Sequence, residues 1–125
     1  MSDSFELLSF RPNLLVQNVD RAIGFYRDVL GMSVHAQPPD GSFAMLGGHG
    51  AAEVALVAHE DPQPGEAYLY VRGVERLLQR CEEAGFVITR ELATQPWGLR
   101  DFVVRDPDGH LIGIGERVES GSVSA

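Results

Sequence analysis

The chain has 125 residues, a formal net charge of −8, 44% hydrophobic residues and one cysteine, Cys81. This length suits a single domain over residues 1–125, and no apolar run approaches the ~20 residues that a membrane span needs. The negative charge argues against nucleic-acid binding, which depends on clustered basic residues. The lone cysteine, and a start that lacks the pattern of a secretory signal, predict a cytoplasmic protein.

The first half of the sequence predicts a strand, a helix and three more strands. Residues 7–16 predict a strand that is interrupted at Arg11-Pro12, because proline cannot donate a hydrogen bond to a neighbouring strand. A helix is expected to begin near Asn18, to carry apolar residues at helical spacing and to end at Gly31. Three strands follow, predicted at residues 32–36, 43–46 and 53–58.

A polar, proline-rich linker at residues 59–65 separates this half from a second set of elements. A strand, a helix, a strand and a hairpin are predicted there, at residues 66–72, 74–85, 86–92 and 95–116. The hairpin turn is Asp106-Pro107-Asp108-Gly109, in which proline presets φ and glycine accepts a positive φ. The two strands that it joins are therefore expected to be antiparallel neighbours.

The only tryptophan, Trp97, lies at the entrance of this hairpin, between Pro96 and Gly98. An aromatic side chain held in such a loop is either a platform on which a ligand stacks or a lid over the core. The hairpin taken alone favours the lid.

The two halves form an internal repeat. Residues 16–21 match residues 71–76 at a separation of 55, and the glycines that end the two helices, Gly31 and Gly85, are 54 apart. A fixed period that carries one supersecondary unit indicates duplicated architecture. We therefore predict an α+β fold of two βαβββ modules, about residues 7–59 and 66–117, followed by a tail at residues 118–125. The modules are expected to form one curved mixed sheet with the helices outside and a cup inside.

The sequence resembles the vicinal oxygen chelate superfamily, which includes glyoxalases, extradiol dioxygenases and bleomycin-resistance proteins. The segments that carry the resemblance are VQNVDRAIGFY at residues 16–26, VLGM at 29–32 and DPDGH at 106–110. It covers roughly residues 8–117 and implies the predicted fold. It does not imply one reaction, because this fold hosts many.

The resemblance also implies four positions at which metal-dependent members hold a divalent ion. Counted from the shared motifs, they are Arg11, Ala55, Glu66 and Gly113. Only the carboxylate can ligate a metal, whereas a catalytic ion needs about three protein ligands. The histidines show no metal-binding spacing; they are His35, His49, His59 and His110. We therefore predict no metal site and no cofactor.

Strand alternation predicts which side chains line the cup. The expected ligand-binding residues are Arg11, Phe43, Glu53, Glu66, Tyr68, Tyr70, Trp97 and Gly113. Gly113 and Gly115 share a face and are expected to leave room for a ligand. Arg11 and Glu66 occupy equivalent places in the two modules, so an ion pair within ~5 Å is a hypothesis that a structure can test.

A finer resemblance, to bleomycin-binding proteins, rests on the stretch from Gln95 to Phe102. Those proteins carry a similar Gln-Pro-Trp-Gly-Arg-Glu-Phe segment before Asp-Pro-x-Gly, whereas here Leu99 is inserted and Asp101 replaces the glutamate. The resemblance implies a metal-free, acidic homodimer that sequesters a cationic ligand between its chains. It also implies that Trp97 stacks on the ligand.

The leading functional hypothesis is a binding protein with no catalytic residue, which holds an amphipathic or cationic small molecule in a homodimer cleft and contacts neither nucleic acid nor membrane. One alternative is a metal-independent lyase, isomerase or hydrolase. Glu66 would then act as the base, Arg11 would orient it, and Tyr68 or Tyr70 would supply the acid; a carboxylate beside an arginine is a weak base, which counts against this role. A metal-dependent lyase or dioxygenase is the other alternative.

Overall fold

A computed structural model describes Glu6, Leu8 and residues 11–48 and 53–118 of the chain. The first module contains β1 (Asn13–Val16), α1 (Val19–Tyr26), β2 (Ser33–Ala36), β3 (Phe43–Gly47) and β4 (Glu53–Ala58). The second contains β5 (Glu66–Tyr70), α2 (Val74–Glu83), β6 (Ile88–Thr94), β7 (Leu99–Arg105) and β8 (Leu111–Arg117). No helix in this described part of the chain is long and apolar enough to cross a bilayer.

Each module builds its own four-stranded mixed sheet, in the order β1-β4-β3-β2 for the first and β5-β8-β7-β6 for the second. In both, the first strand pairs in parallel with the last, and the other neighbours are antiparallel. This confirms the α+β class and the two βαβββ modules. The strand register also follows the repeat, because Asn13 pairs with Ala55 and Tyr68, 55 residues after Asn13, pairs with Gly113.

Several element boundaries differ from the sequence-based expectation, most of all in the first strand and the first helix. Among the described residues the first strand begins at Asn13, after the Arg11-Pro12 interruption, and residues 7, 9 and 10 of the predicted strand lie outside the described residues. Asn18 caps α1 by accepting the Arg21 N–H at 2.8 Å, but the helix ends at Tyr26 rather than near Gly31. Residues 27–30 form a turn in which the backbone N–H groups of both Val29 and Leu30 reach the Phe25 carbonyl. Glycine at position 31 then takes the left-handed conformation, with φ of +83°.

One hydrophobic core joins the two modules. It is built from the helices and from alternate strand residues, among them Leu14, Val16, Leu46, Leu56, Phe102, Val104, Ile112 and Ile114. Across the module boundary, the rings of Phe25 and Phe86 meet edge to face at 4.7 Å. Cys81 lies inside this core, and burial raises the pKa of its thiol to about 11, as expected for a packing residue rather than a reactive one.

The predicted Asp-Pro-Asp-Gly hairpin is confirmed, and its turn also fastens the second module to the first. Buried Asp106 accepts the Tyr26 hydroxyl at 2.6 Å through Oδ2. Its Oδ1 accepts the backbone N–H groups of Asp108 at 2.9 Å and His110 at 2.8 Å. Burial, together with the Asp106 charge, raises the pKa of the Tyr26 phenol, so this hydroxyl stays a hydrogen-bond donor.

His110 adds a second link between the modules. Its Nδ1 accepts the Gly65 N–H at 2.7 Å, and its Nε2 lies 2.6 Å from the Leu15 carbonyl oxygen. Because Gly65 N–H can only donate and Leu15 oxygen can only accept, these contacts assign the tautomer with hydrogen on Nε2. The imidazole thus connects the β7–β8 turn, the linker and β1.

The N-terminus of α2 depends on a residue that is distant in sequence. Its N-cap, Gly73, has no side chain to accept the first N–H groups, and Glu116 Oε1 accepts those of Val74 and Gly73, each at 3.0 Å. These two backbone hydrogen bonds lower the pKa of the Glu116 carboxyl. We expect Glu116→Gln to lower Tm at neutral pH by a few degrees, because the amide oxygen can still accept these N–H groups but lacks the charge that strengthens the two hydrogen bonds.

The sign of the pH dependence follows from the lowered pKa. A carboxyl with a depressed folded-state pKa stabilises the fold above its unfolded-state pKa, and this stabilisation disappears as pH falls through the folded-state value. The Tm difference between wild type and Glu116→Gln should therefore shrink in acid. Thermal melts across pH measure it, with exposed Glu82→Gln on α2 as the control. Equal melting curves for the two variants at neutral pH would contradict this capping role.

Candidate ligand-binding site

The open face of the second sheet, opposite α2, forms a groove of about 650 Å³. We call it the second-module cup and define it by its lining residues, which are Glu66, Ala67, Tyr68, Thr89, Arg90, Val103, Leu111 and Gly113. Alternation along the strands explains the arrangement, because the intervening residues such as Ile112 and Val104 point into the core. Three of the residues predicted from sequence, Glu66, Tyr68 and Gly113, are brought together here.

The floor of the second-module cup is a tyrosine ring laid across two glycines. A Cβ atom placed on Gly113 would lie 2.5 Å from Tyr68 Cδ2, and one on Gly115 would lie 2.9 Å from Tyr68 Cζ. Both distances are far inside van der Waals contact, so only glycine permits this position of the ring. The expectation that these glycines leave empty room for a ligand is wrong, because Tyr68 fills that room.

The buried carboxylate of Asp101 fixes the Tyr68 ring through a hydrogen bond to its hydroxyl group. Asp101 is only 1% exposed, and its Oδ2 accepts the Tyr68 hydroxyl at 2.6 Å. Its Oδ1 accepts hydrogen bonds from Arg90 Nη2 and from Gln95 Nε2, each at 3.0 Å. Three donors thus compensate the buried charge. Desolvation and the bond to Asp101 raise the pKa of the Tyr68 phenol, which makes it a poor acid near neutral pH.

Sequence reasoning named neither Arg90 nor Gln95 as a site residue, and it did not predict the role of Asp101. The sequence did contain a sign of this role. Asp101 is an acidic residue within an apolar strand, and a buried carboxylate needs hydrogen-bond donors. Its donors come from β6 and from the β6–β7 turn, and strand alternation does not reveal such cross-strand partners.

A second aromatic ring extends the floor towards solvent. Tyr70 is 65% exposed, and its ring centroid lies 5.1 Å from that of Tyr68 with an interplanar angle of 53°. The guanidinium carbon of Arg117 lies 5.4 Å from the Tyr70 centroid, within cation–π range. The two rings therefore offer a continuous aromatic surface beside the second-module cup.

The first module carries the other residues predicted from sequence. Phe43 is half-buried on β3, and Glu53 on β4 contacts His35 Nδ1 at 3.0 Å. Glu53 and Glu66 share a smaller cleft of about 250 Å³ that also borders Tyr68. Ligand contact by these residues stays a prediction.

The hypothesis of an ion pair between Arg11 and Glu66 is wrong. They form no salt bridge, and Arg11 Nη1 instead contacts Met45 Sδ at 3.4 Å. The physical reason is that Arg11 precedes β1 and lies across its own sheet, whereas Glu66 begins β5 in the other module and borders the second-module cup.

Trp97 lies at the tip of the β6–β7 turn and is 62% exposed. The Gly98 N–H closes the turn on the Gln95 carbonyl at 3.1 Å, with Gly98 at φ of +88°. A side chain so exposed does not cover the core, so the lid interpretation is wrong. Trp97 is not among the residues that line the second-module cup of its own chain, and its role as a stacking platform stays a prediction.

The donor set does not fit a catalytic metal ion. Of the four positions implied by the resemblance, Ala55 and Gly113 have no donor atom, Arg11 cannot be deprotonated, and only Glu66 offers an oxygen ligand. Within residues 11–48 and 53–118, no group of three or more histidine, cysteine, aspartate or glutamate side chains is arranged to hold a metal. His49 lies outside the described residues.

A family model described as the Glyoxalase/Bleomycin resistance protein/Dioxygenase superfamily matches residues 9–114. The chain belongs to this superfamily. Among curated members, a lactoylglutathione lyase from Haemophilus influenzae is 34% identical over 114 residues, which span 79% of this chain and 84% of that protein.

Two solved structures place this superfamily member among related folds. TioX from a Micromonospora species is 27% identical with a TM-score of 0.75, over 86% of this chain and 97% of TioX. TnmS3, an antibiotic binding protein from a Streptomyces species, is 24% identical with a TM-score of 0.72, over 90% of this chain and 99% of TnmS3. The likeness to TnmS3 establishes a shared fold alone.

Proposed function

We propose that this superfamily member is a metal-free, cytoplasmic small-molecule-binding protein that holds an amphipathic ligand in a cleft between two copies of the chain. The observation that carries the proposal is the position of Tyr68. Its ring lies over Gly113, one of the metal-ligand positions that the resemblance implies, and is fixed there by Asp101. A flat aromatic floor thus replaces a metal ligand.

The dimensions and lining of the second-module cup support a binding role. Small-molecule sites commonly measure about 300–1,000 Å³ and combine apolar walls with a few polar groups. The groove of about 650 Å³ has apolar walls from Val103 and Leu111 and polar groups from Glu66 and Arg90. A ring stacked on Tyr68 would gain about 0.5–1.5 kcal/mol beyond the burial of its area.

The exposed aromatic residues support a second copy as the partner. Tyr70 and Trp97 are 65% and 62% exposed in the single chain, and the groove is open on the side away from the sheet. A two-fold dimer would close the groove and bury such residues on both chains. In this arrangement Trp97 stacks on a ligand held by the partner subunit, which is consistent with its place outside the second-module cup of its own chain.

A thermal-shift screen tests the binding role. The ligands are bleomycin-type antibiotics and small amphipathic aromatic compounds, and the proteins are wild type, Tyr68→Ala and Tyr68→Phe. A ligand of the folded state adds about 2.7 kcal/mol of stability at a hundredfold excess over its Kd, so it should raise the wild-type Tm. Tyr68→Phe keeps the ring and should retain binding, whereas Tyr68→Ala should weaken it at least tenfold.

The proposal fails if no compound stabilises the wild type, or if Tyr68→Ala and wild type respond equally to every ligand that does. Light scattering on the purified protein measures the oligomeric state directly. A monomer at all concentrations, with or without ligand, would contradict the two-chain cleft.

A second candidate is an enzyme of the same superfamily, and the 34% identical lactoylglutathione lyase is the observation that favours it. Two features weigh against the roles considered above, because Arg11 does not orient Glu66 and the Tyr68 phenol is a weak acid. Formation of S-lactoylglutathione, measured with and without Ni²⁺, Zn²⁺, Fe²⁺ or Mn²⁺, decides between the candidates. Turnover that exceeds that of protein-free controls would replace the binding proposal with an enzymatic one.

A further inference from the structure

We propose that the second-module cup selects aromatic carboxylates, with Arg90 as the residue that determines specificity and Asp101 as the residue that positions it. This inference rests on the proposed small-molecule-binding function and names the ligand class. It departs from the cationic ligand that the overall charge suggests.

The local charge of the open face differs in sign from the charge of the chain. Strand register places Arg90, Arg105 and Arg117 on the same face as Tyr68, together with two acidic residues, Glu66 and Asp101. Three positive and two negative side chains give this face a formal charge of +1, in a protein whose formal net charge is −8. The two charged residues that line the second-module cup itself, Glu66 and Arg90, are formally neutral together. An anion is therefore better matched to this face than the overall charge implies.

Arg90 presents its free donors to the groove. Its side chain is 47% exposed, and only Nη2 is engaged, at 3.0 Å from Asp101 Oδ1. Its Nε and Nη1 groups donate to no residue in the described part of the chain, so they remain available to a ligand. A guanidinium group presents a planar fork of N–H donors that matches the two oxygens of a carboxylate.

Asp101 sets the geometry that a ligand would meet. The same carboxylate holds the Tyr68 hydroxyl on one oxygen and the Arg90 guanidinium on the other. Asp101 therefore fixes both the Tyr68 ring and the Arg90 guanidinium. A single small ligand can contact both groups. A planar ring stacked on Tyr68 can direct a carboxylate substituent towards Arg90.

Glu66, the acidic residue that lines the second-module cup, influences how a ligand is oriented. Glu66 lies on β5 and Arg90 on β6, at opposite edges of the sheet order β5-β8-β7-β6. Three strand spacings separate these edges by about 14 Å. The acidic end of a ligand is thus attracted to the β6 edge and repelled from the β5 edge.

Calorimetric titration with three matched probes tests this inference. The probes are 1-naphthoate, 1-naphthamide and 1-naphthylmethylammonium, which share one ring system and differ in charge. Wild type should bind the naphthoate most tightly. Arg90→Gln should weaken naphthoate binding at least tenfold and change the amide by less than about twofold, whereas Arg90→Lys should restore part of the loss. Arg76→Gln removes the same charge from the exposed surface of α2 and serves as the control.

The positioning role of Asp101 has a separate readout. Burial, followed by the hydrogen bond to Asp101 and its charge, raises the pKa of the Tyr68 phenol, so in Asp101→Asn an ultraviolet titration should show a tyrosine ionising at lower pH than in wild type. Naphthoate affinity should fall in the same variant. An unchanged tyrosine titration, with the fold retained by circular dichroism, would overturn the positioning role.

The failure of this inference is distinguishable from the failure of the proposed function. The carboxylate class is wrong if the ammonium or the amide binds as tightly as the naphthoate, or if Arg90→Gln matches Arg76→Gln. In those outcomes a small-molecule site still exists. If none of the three probes binds, the inference falls, and the Tyr68→Ala screen decides the proposed function independently.

Discussion

Replacing Asp106 with alanine is expected to lower the free energy of unfolding by about 3–5 kcal/mol, since the variant leaves several buried donors without an acceptor. In the wild type, its carboxylate accepts the Tyr26 hydroxyl and the N–H groups of Asp108 and His110, all within 2.9 Å. Loss of these bonds frees the turn that joins the second module to α1. Both modules share one core, so the loss should appear as a single cooperative unfolding transition at lower denaturant concentration.

Urea unfolding followed by circular dichroism measures this effect. Asp61→Ala is the matched control, because Asp61 is an exposed linker residue. Tyr26→Phe should lower the free energy of unfolding by about 1.5–3 kcal/mol, since it removes one hydrogen bond to a charged group. A midpoint for Asp106→Ala within error of Asp61→Ala would show that the turn does not hold the modules together.

Replacing Gly115 with alanine is expected to displace Tyr68 and to abolish ligand binding that depends on it. The added methyl group would overlap the tyrosine ring and lie 3.1 Å from Asp101 Cβ, so the ring must leave its floor position. Overpacking of this kind typically costs about 1–3 kcal/mol. The larger effect is expected on ligand binding, because Asp101 loses the Tyr68 hydroxyl as a donor and the second-module cup loses its aromatic floor.

Gly24→Ala provides the control for this substitution. A Cβ atom at Gly24 meets no other atom within 4 Å, and the residue lies inside α1, where alanine is favoured over glycine by up to about 1 kcal/mol. In thermal melts and ligand titrations, Gly24→Ala should therefore keep or raise the wild-type Tm and leave ligand affinity unchanged, whereas Gly115→Ala should lower both. Normal ligand affinity in Gly115→Ala would mean that Tyr68 can leave the floor without consequence.

The architecture could be predicted because its signals are local and repeated. The match between residues 16–21 and 71–76 indicated two copies of one unit, and the structure places equivalent pairs, Asn13–Ala55 and Tyr68–Gly113, in the same strand register. The Asp-Pro-Asp-Gly turn specified its hairpin through φ preferences that depend on four neighbouring residues. The superfamily was identifiable for the same reason.

The candidate site was predictable only as far as strand alternation reaches. Alternation brought Glu66, Tyr68 and Gly113 to one face, but it gives neither the rotamer of a side chain nor its partner on another strand. The Arg11–Glu66 pair was therefore misplaced, and the exposure of Trp97 could not be inferred from its neighbours. The partnership of Asp101 with Arg90 needs three-dimensional proximity between residues 11 positions apart on bulged strands.

The close packing of the Tyr68 ring on Gly113 and Gly115 restricts how this site can change by mutation. Introducing a glutamate at Gly113, to supply the missing acidic donor, would drive its Cβ into the Tyr68 ring. Tyr68 would first have to take another position, and Asp101 would then need a new donor in place of the Tyr68 hydroxyl. A carboxylate at position 113 therefore requires several interdependent substitutions, because the Tyr68 ring occupies the space that its Cβ atom would take.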